Sequence, residues 1–574
     1  MVLVLDVLIV GAGPHALTLA SLLQTPCNAA VTSSSSSSTS SSILNGILLS
    51  KSKSRRPRRA ATKQPDSDFS ETNGIRSHTS EDNIQIPALP TTLNVKVVDT
   101  YGQWVRLWDQ QFTALNIPHL RSHTLVHTDP FDKAALQKFI SLHERTDELH
   151  FLSDRVYIQD ENAFFNDNRL GKKDKKKLSS SSSLKHNLYF SVPGAVLIMD
   201  FFEDQVRKYH LENSVIPGTV EKIIPILTPC TEPHSSEPKQ TQFFQVVLES
   251  GETIEARQVV LATGPTRAQM ANIPTWVYTI SESYPEERLQ HTVQLMHHQA
   301  VSREKNAAPD VCQNGEAVLV IGGGLTSAHV VHIALQQGSR HVTWVMRKHL
   351  QLKQFDVGDV ETLVGRYSHV EHGIKLDGLA YLRQFYNERS LHKRLAMIHQ
   401  ARKGGAITPE IYQQLKPYMG QGLLTVETYC QVSEAGWSYK NQLWKVALSN
   451  GKLWSGDRIW LATGCKLDVS QDPLLSDTMR EFPIQVLDGW PAVRESLQWA
   501  SGCDLYLMGQ YAALQVGPHA INLAGGQAAS TRITKAILQK HKRWNGDCMA
   551  LEEQNLEKNR AEEYVQHMYG LMWL

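Results

Sequence analysis

The sequence predicts an α/β chain in which one doubly wound strand–helix unit is inserted into another, and three observations carry that prediction. A strand-like apolar run, a glycine-rich turn and an apolar helix occur together twice, over residues 7–23 and 318–336. A hairpin followed by an apolar strand ending Ala-Thr-Gly also occurs twice, over 241–264 and 441–464. The second turn and hairpin both fall between the first hairpin and a late strand–helix segment around Gly509, which is the order expected when one unit interrupts another. At roughly 150 residues per domain, 574 residues leave room for this.

The first element is a strand over residues 3–10. The apolar N-terminus imitates a signal peptide or membrane span, but no basic residue precedes it, Asp6 interrupts it, and Gly11, Gly13 and Pro14 stand where an apolar helix would continue. No later stretch offers about 18 uncharged apolar residues, so no membrane span is expected. The turn is Gly11-x-Gly13-x-x-Ala16, and the helix runs over 17–23. The first glycine permits the turn, the second lets a pyrophosphate approach the backbone, and the third position must be small for helix and strand to pack. The pyrophosphate then meets the unpaired N–H groups and positive dipole of the helix N-terminus. The second copy reads Gly322-x-Gly324-x-x-Ser327. Two such fingerprints in register with strands imply two nested Rossmann-like dinucleotide-binding domains.

An acidic residue is expected at the end of the next strand. After the first fingerprint a Ser- and Lys/Arg-rich insert, about 25–91, intervenes, with KSKSRRPRR at 51–59. Such composition cannot offset its ordering entropy by apolar burial. The basic cluster reads either as a solvated charged loop or as a nuclear or anionic-surface signal. With the insert spliced out, residues 93–99 form the strand and Asp99 is assigned to a ribose hydroxyl, the alternative being a turn aspartate. A second insert, about 166–187, has the same character. In the second copy the strand is 341–346, and Arg347 stands where an acid would read a free 2′-hydroxyl. A guanidinium there suits a 2′-phosphate, hence NADPH, the alternative being a basic strand end facing water. The returning strands close at Gly264 and Gly464.

Composition removes other classes. With 58 Lys+Arg against 57 Asp+Glu the net charge is +1, which gives no global electrostatic case for nucleic acid. Seven cysteines without a C-x-x-C pair argue against a disulfide framework, a zinc site or a dithiol redox motif, and for a reducing, cytoplasmic setting.

The paired fingerprints and Ala-Thr-Gly strands, with the late Gly509 segment, resemble the two-dinucleotide-domain flavoproteins, and most of all the flavin-dependent monooxygenases near the ornithine and lysine N-hydroxylating enzymes. The resemblance covers nearly the whole chain outside the two inserts. It implies that the N-terminal fingerprint holds FAD and that the inserted one holds NADPH. The implied domains are 1–310, the first part of the FAD domain; 315–470, the NAD(P)H domain with a helical cap about 358–425; and 471–574, the return of the FAD domain with a tail helix. Asp99-x-x-Gly102-x-Trp104 is similar to a segment following the second strand in flavin monooxygenases, which adds Trp104 to the cofactor set. The loop 117–131, rich in His119, Arg121, His123, His127 and Asp129, corresponds to one near the flavin ring, so Arg121 or His123 would stabilise the reduced flavin or its oxygen adduct. The alternative is that these side chains bond the backbone or face solvent; a metal site is not expected. Residues 505–510 read as a strand and 521–533 as a helix, and the resemblance places Gly509, Gln510 and His519 at the flavin. Gln510 departs from the aspartate common there. Asn522 and Gln527 read equally as exposed or as cofactor contacts.

The implied activity is oxygenation of a small nucleophilic substrate, an amine or sulfur compound, through a C4a-(hydro)peroxyflavin. Two alternatives stand beside it: a reductase or oxidase without oxygenation, and a regulatory redox-sensing flavoprotein.

Overall fold

The computed structural model describes residues 4–24, 93–122, 124, 126–132, 134–151, 191–228, 239–265, 270–295, 310–352, 384–402 and 405–544. Both low-complexity inserts, His123 and residues 358–383 and 403–404 of the expected cap lie outside the described residues.

The chain opens with β1 (Leu5–Val10), α1 (Pro14–Gln24) and β2 (Val95–Asp99). Helices α2 (Arg106–Ala114) and α3 (Ala135–Leu142), strands β3 (Leu149–Phe151) and β4 (Ser191–Pro193), and α4 (Ala195–Lys208) follow. Then come β5 (Val215–Pro217), β6 (Val220–Leu227), β7 (Thr241–Leu248) and β8 (Thr253–Leu261). The next group is β9 (Leu289–His291), β10 (Ala317–Ile321), α5 (Leu325–Gln336), β11 (His341–Val345), α6 (Leu391–Ala401), α7 (Pro409–Gly420) and β12 (Leu424–Glu427). It closes with β13 (Val432–Ser438), β14 (Leu443–Leu448), β15 (Leu453–Gly456) and β16 (Arg458–Leu461). Last are α8 (Ser476–Glu481), β17 (Val486–Leu487), β18 (Trp490–Pro491), β19 (Gln498–Ala500), β20 (Cys503–Leu507), α9 (Ala513–Val516) and α10 (Leu523–Trp544).

The first sheet has the order β19-β20-β8-β1-β2-β5, with the β6–β7 meander continuing from β8. Strands β20, β8, β1, β2 and β5 run parallel. Val7, Leu8, Ile9 and Val10 are all buried, as a central parallel strand covered on both faces requires. The second sheet, β12-β11-β10-β16-β9, is wholly parallel. One of its faces carries α5 and α7, and the other the antiparallel sheet β13-β14-β15, where Trp444 is fully buried.

The nesting that the repeats imply is therefore present as two sheets from one chain, the first with a parallel centre and antiparallel edges and the second wholly parallel. Both hairpins turn where the sequence places them, at Gly251 and Gly451. Edge strand β9 lies before residue 315 yet pairs with β16 in the second sheet; three residues are too short a signal to mark a boundary. The crossings between the two sheets are tied together, since Ala271 bridges Cys465 and the Asn272 N–H donates to the Gly464 carbonyl at 2.9 Å. Among the described residues no helix is long and apolar enough to cross a membrane.

Each fingerprint strand is clamped beside its Ala-Thr-Gly strand. The Ala262 N–H donates to Val10 O and the Ala462 N–H to Ile321 O, each at 2.8 Å. A Cβ on Gly322 would overlap the Ala462 carbonyl, and the residue's φ of 144° is one that L side chains avoid. Gly322→Ala should therefore cost about 2–4 kcal/mol. Chemical denaturation followed through the fluorescence of buried Trp344 and Trp460 measures it, and an unchanged midpoint would contradict the packing described.

Candidate functional site

The first cradle is built at the carboxyl ends of β1, β2, β8 and β20. Gly11 leaves β1 with φ of 99°, and a Cβ there would stand 2.7 Å from the Ala262 oxygen. Above Gly13 no atom lies within 4 Å of the position a Cβ would take. The Leu17 N–H makes the first i→i−4 bond of α1, to Gly13 O at 3.0 Å. The preceding amides thus stand at the helix N-terminus, where an anion is favoured. Ala16 is fully buried against the sheet, as its small size allows.

Asp99, at the end of β2, accepts the Ala12 N–H at 3.0 Å and the Tyr101 N–H at 2.9 Å. Burial raises its pKa, and those two bonds oppose the shift. The carboxylate keeps acceptor capacity for hydroxyls. The following turn folds back over the fingerprint, with the Val105 N–H on Ala12 O at 2.8 Å. Trp104 commits its indole N–H to Leu211 O at 3.0 Å, so it braces the turn. Gly264 and Gly509, with φ of 72° and 66°, each have open space where a side chain would begin.

Strand β20 ends at Leu507, short of the expected residue 510, because Gly509 and Gln510 enter a 3-10 turn. Helix α10 starts at Leu523 and runs on to Trp544, well past residue 533. His519 is buried in the turn between them.

The second cradle repeats the plan. Gly324 is the N-cap of α5 with open space at its Cβ position, and buried Ser327 donates to Gly324 O at 2.6 Å. The Trp344 indole holds the Gly322 carbonyl at 2.6 Å. Gly464, φ 74°, is open as Gly264 is. Arg347 and Lys348 are exposed just beyond β11. Both cradles thus offer an uncovered glycine, a helix N-terminus and a strand-end polar side chain, which fits a dinucleotide at each.

Between the cradles lies a cavity of about 270 Å³. Trp108 and Phe112 of α2, Arg121, His329 of α5, Glu410 of α7 and Asn522 are among its lining. Sequence reasoning selected Arg121 here and left Asn522 open, but passed over His329 and Glu410. His329 lies two residues beyond the last fingerprint position, in the first turns of α5, and that closeness to the fingerprint was the available signal.

The Arg121 loop is held at several points. Leu120 and Thr124 donate their N–H groups to Pro193 O and Ser191 O at 2.9 and 3.0 Å. Buried Asp129 takes the Phe131 and Asp132 amides, Lys208 at 2.6 Å and the Tyr209 hydroxyl at 2.9 Å. Burial pushes the Asp129 pKa up, but these bonds and the Lys208 charge outweigh it and hold the carboxyl below its ordinary value. Gln527 donates to the His127 and Asp129 carbonyls, tying the loop to α10. His127 and Asp129 are therefore structural.

Beside the cavity His119 stacks on His150, with centroids 4.5 Å apart, and Glu410 approaches His150 Nε2 at 3.6 Å. Burial lowers the pKa of His329 to about 4, helped by His332, His119 and Arg121. His15, inside the first fingerprint and bonded to Asn522 O at 2.9 Å, is likewise lowered by burial to about 4. Both imidazoles are neutral near pH 7. Among the described residues no group of three His, Cys, Asp or Glu is placed to hold a metal ion.

Residues 169–396 match the pyridine nucleotide-disulphide oxidoreductase family, a span that takes in the second fingerprint. No curated protein matches the chain. Among solved structures it is similar to an ornithine hydroxylase from Pseudomonas aeruginosa (14% identity, TM-score 0.55, 94% of this chain and 100% of that one). It is similar to an ornithine N-hydroxylase from Kutzneria sp. 744, held with reduced FAD, NADP+ and L-ornithine (15%, 0.56, 94% and 100%). A third is an L-lysine 6-monooxygenase from Pseudomonas syringae (14%, 0.54, 93% and 99%). At these identities the likeness establishes the fold alone: two Rossmann-like domains, one nested in the other.

A histidine buried neutral binds fewer protons when folded than when unfolded. Its contribution is complete above its unfolded pKa of 6.5 and is lost as pH falls toward 4. For His329 the loss is on the order of 3 kcal/mol. Denaturation midpoints should therefore fall between pH 6.5 and 4, and His329→Gln should flatten that fall; parallel curves for the two proteins would contradict the assignment.

Proposed function

We propose that the chain is an FAD-dependent, NADPH-using oxidoreductase, a monooxygenase that oxygenates a small nucleophilic substrate such as an amine or a sulfur compound. The observation that carries this reading is the pairing of two open glycine cradles with one cavity between them. That is the arrangement needed to bring a hydride donor, a flavin and a substrate together. The family match over 169–396 and the fold shared with N-hydroxylating monooxygenases support it.

Each part of the chain then has a task. The N-terminus of α1 receives the FAD pyrophosphate, and Asp99 accepts a ribose hydroxyl. Gly264, Gly509, Gln510 and His519 bound the rest of that site, with Trp104 bracing it. The N-terminus of α5 takes the NADPH pyrophosphate, and Arg347 pairs with its 2′-phosphate. FAD, when bound, supplies the hydride acceptor and the reaction with dioxygen. Arg121 places positive charge at the cavity wall, where His123, outside the described residues, is its sequence neighbour. His329 presents a neutral imidazole that can hold or accept a proton at a ring nitrogen. Trp108, Phe112, Leu325 and Ile411 keep the cavity apolar and exclude water. The scattered cysteines suit a cytoplasmic protein.

Arg347→Ala should raise the KM for NADPH by about 10-fold or more, the value of a charge-assisted pair, while barely moving that for NADH. Equal effects on both would contradict the 2′-phosphate assignment. For the reaction itself, amines and thioethers that accelerate NADPH consumption should be recovered heavier by one oxygen atom. Acceleration without that mass gain would identify a reductase or oxidase, and indifference to every such compound would favour a regulatory protein.

A further inference from the structure

The two cradles differ in one respect. The glycine loop of the first is met by its own Ala-Thr-Gly strand and by the turn after β2, whose Asp99 and Val105 bond Ala12. The loop of the second is also met by a distant piece of chain, the segment that leads into α7. A Cβ built on Gly405 would stand 2.8 Å from both the carbon and the oxygen of Gly323, and 2.9 Å from the nitrogen of Gly324. Those atoms form the peptide between the second and third residues of the Gly322-Gly323-Gly324 turn.

Neither side of this contact can yield easily. The Ile407 N–H donates to Gln351 O at 2.9 Å, Ile407 bridges Leu352, and Ile407, Ile411 and Leu415 are buried against the second sheet and α5. On the other side the Trp344 indole pins the Gly322 carbonyl at 2.6 Å, and Ala462 closes on Gly322 itself. Carbon atoms in ordinary contact sit about 3.5 Å apart, so a methyl group at 405 would force the fingerprint peptide or the segment aside by roughly 0.7 Å.

We propose that Gly405 is a positioning residue of the second nucleotide site. Its missing side chain lets the chain before α7 rest on the Gly323–Gly324 peptide and fixes where that peptide stands relative to the N-terminus of α5. The proposal rests on reading the second cradle as a nucleotide site. It adds a remote segment, absent from the fingerprint, that the site requires. The same segment supplies Thr408, Glu410 and Ile411 to the cavity wall, so it joins the nucleotide site to the cavity.

The test uses the full chain with its FAD content measured, and NADP+ as the probe in calorimetric titration. Gly405→Ala should raise the Kd for NADP+ by tenfold or more while FAD content stays near that of the unaltered chain. Gly420→Ala, at the far end of α7 where a Cβ meets open space, should leave the Kd unchanged. An unchanged Kd in Gly405→Ala overturns the proposal. Should that variant fold poorly, hydrogen exchange on the unaltered chain decides. NADP+ is expected to slow exchange over 405–411 as well as over 322–327, and slowing confined to 322–327 overturns the proposal. If the unaltered chain binds no NADP+, the reading of the second cradle fails and the role of Gly405 falls with it; binding with Gly405→Ala unaffected removes Gly405 alone.

Discussion

The architecture depends on the distance between two backbones. At the end of β1, and again at the end of β10, the chain must turn away within van der Waals contact of an alanine carbonyl on the neighbouring strand. Gly11 faces Ala262 and Gly322 faces Ala462. Only a residue without Cβ passes through that gap, and the turn it permits presents a helix N-terminus at the sheet edge. A side chain there would separate the fingerprint strand from its partner and tilt the helix that follows. The open space above Gly13, Gly264, Gly324 and Gly464 follows from the same geometry, because the strand ends diverge just beyond the point of closest approach.

That constraint explains why the fold was legible. The fingerprints and Ala-Thr-Gly strands are local signals, each written in a few consecutive residues, and both hairpins fall where their Ser-Gly and Asn-Gly turns place them. Asp99 was found at the end of its strand by splicing out an insert, since the alternating pattern resumes across the gap. The sequence assigns each Ala-Thr-Gly strand to its own domain, and the structure adds that it lies directly beside its own glycine turn. The two lie about 140 to 250 residues apart, and only strand order brings them together.

The site between the cradles was less legible for a related reason. Arg121 belongs to a loop dense in polar residues, and the fold separates its members. Asp129 and His127 anchor the loop to α4 and α10, while Arg121 reaches the cavity. His329 and Glu410 come from elements on either side of a long connection; the nearby fingerprint is a signal for His329, and nothing in its neighbours marks Glu410. Short strands such as β9 and the 3-10 turn after β20 were missed because their hydrophobic patterns are too brief to show a period.

The central claim is that electrons pass from a nicotinamide held at the second cradle to a flavin held at the first. Anaerobic addition of NADPH to the purified, FAD-loaded chain tests it most directly. The account predicts stoichiometric flavin absorbance that NADPH bleaches and air restores. A chain that takes up no flavin, or one whose flavin stays oxidised under NADPH, would contradict it.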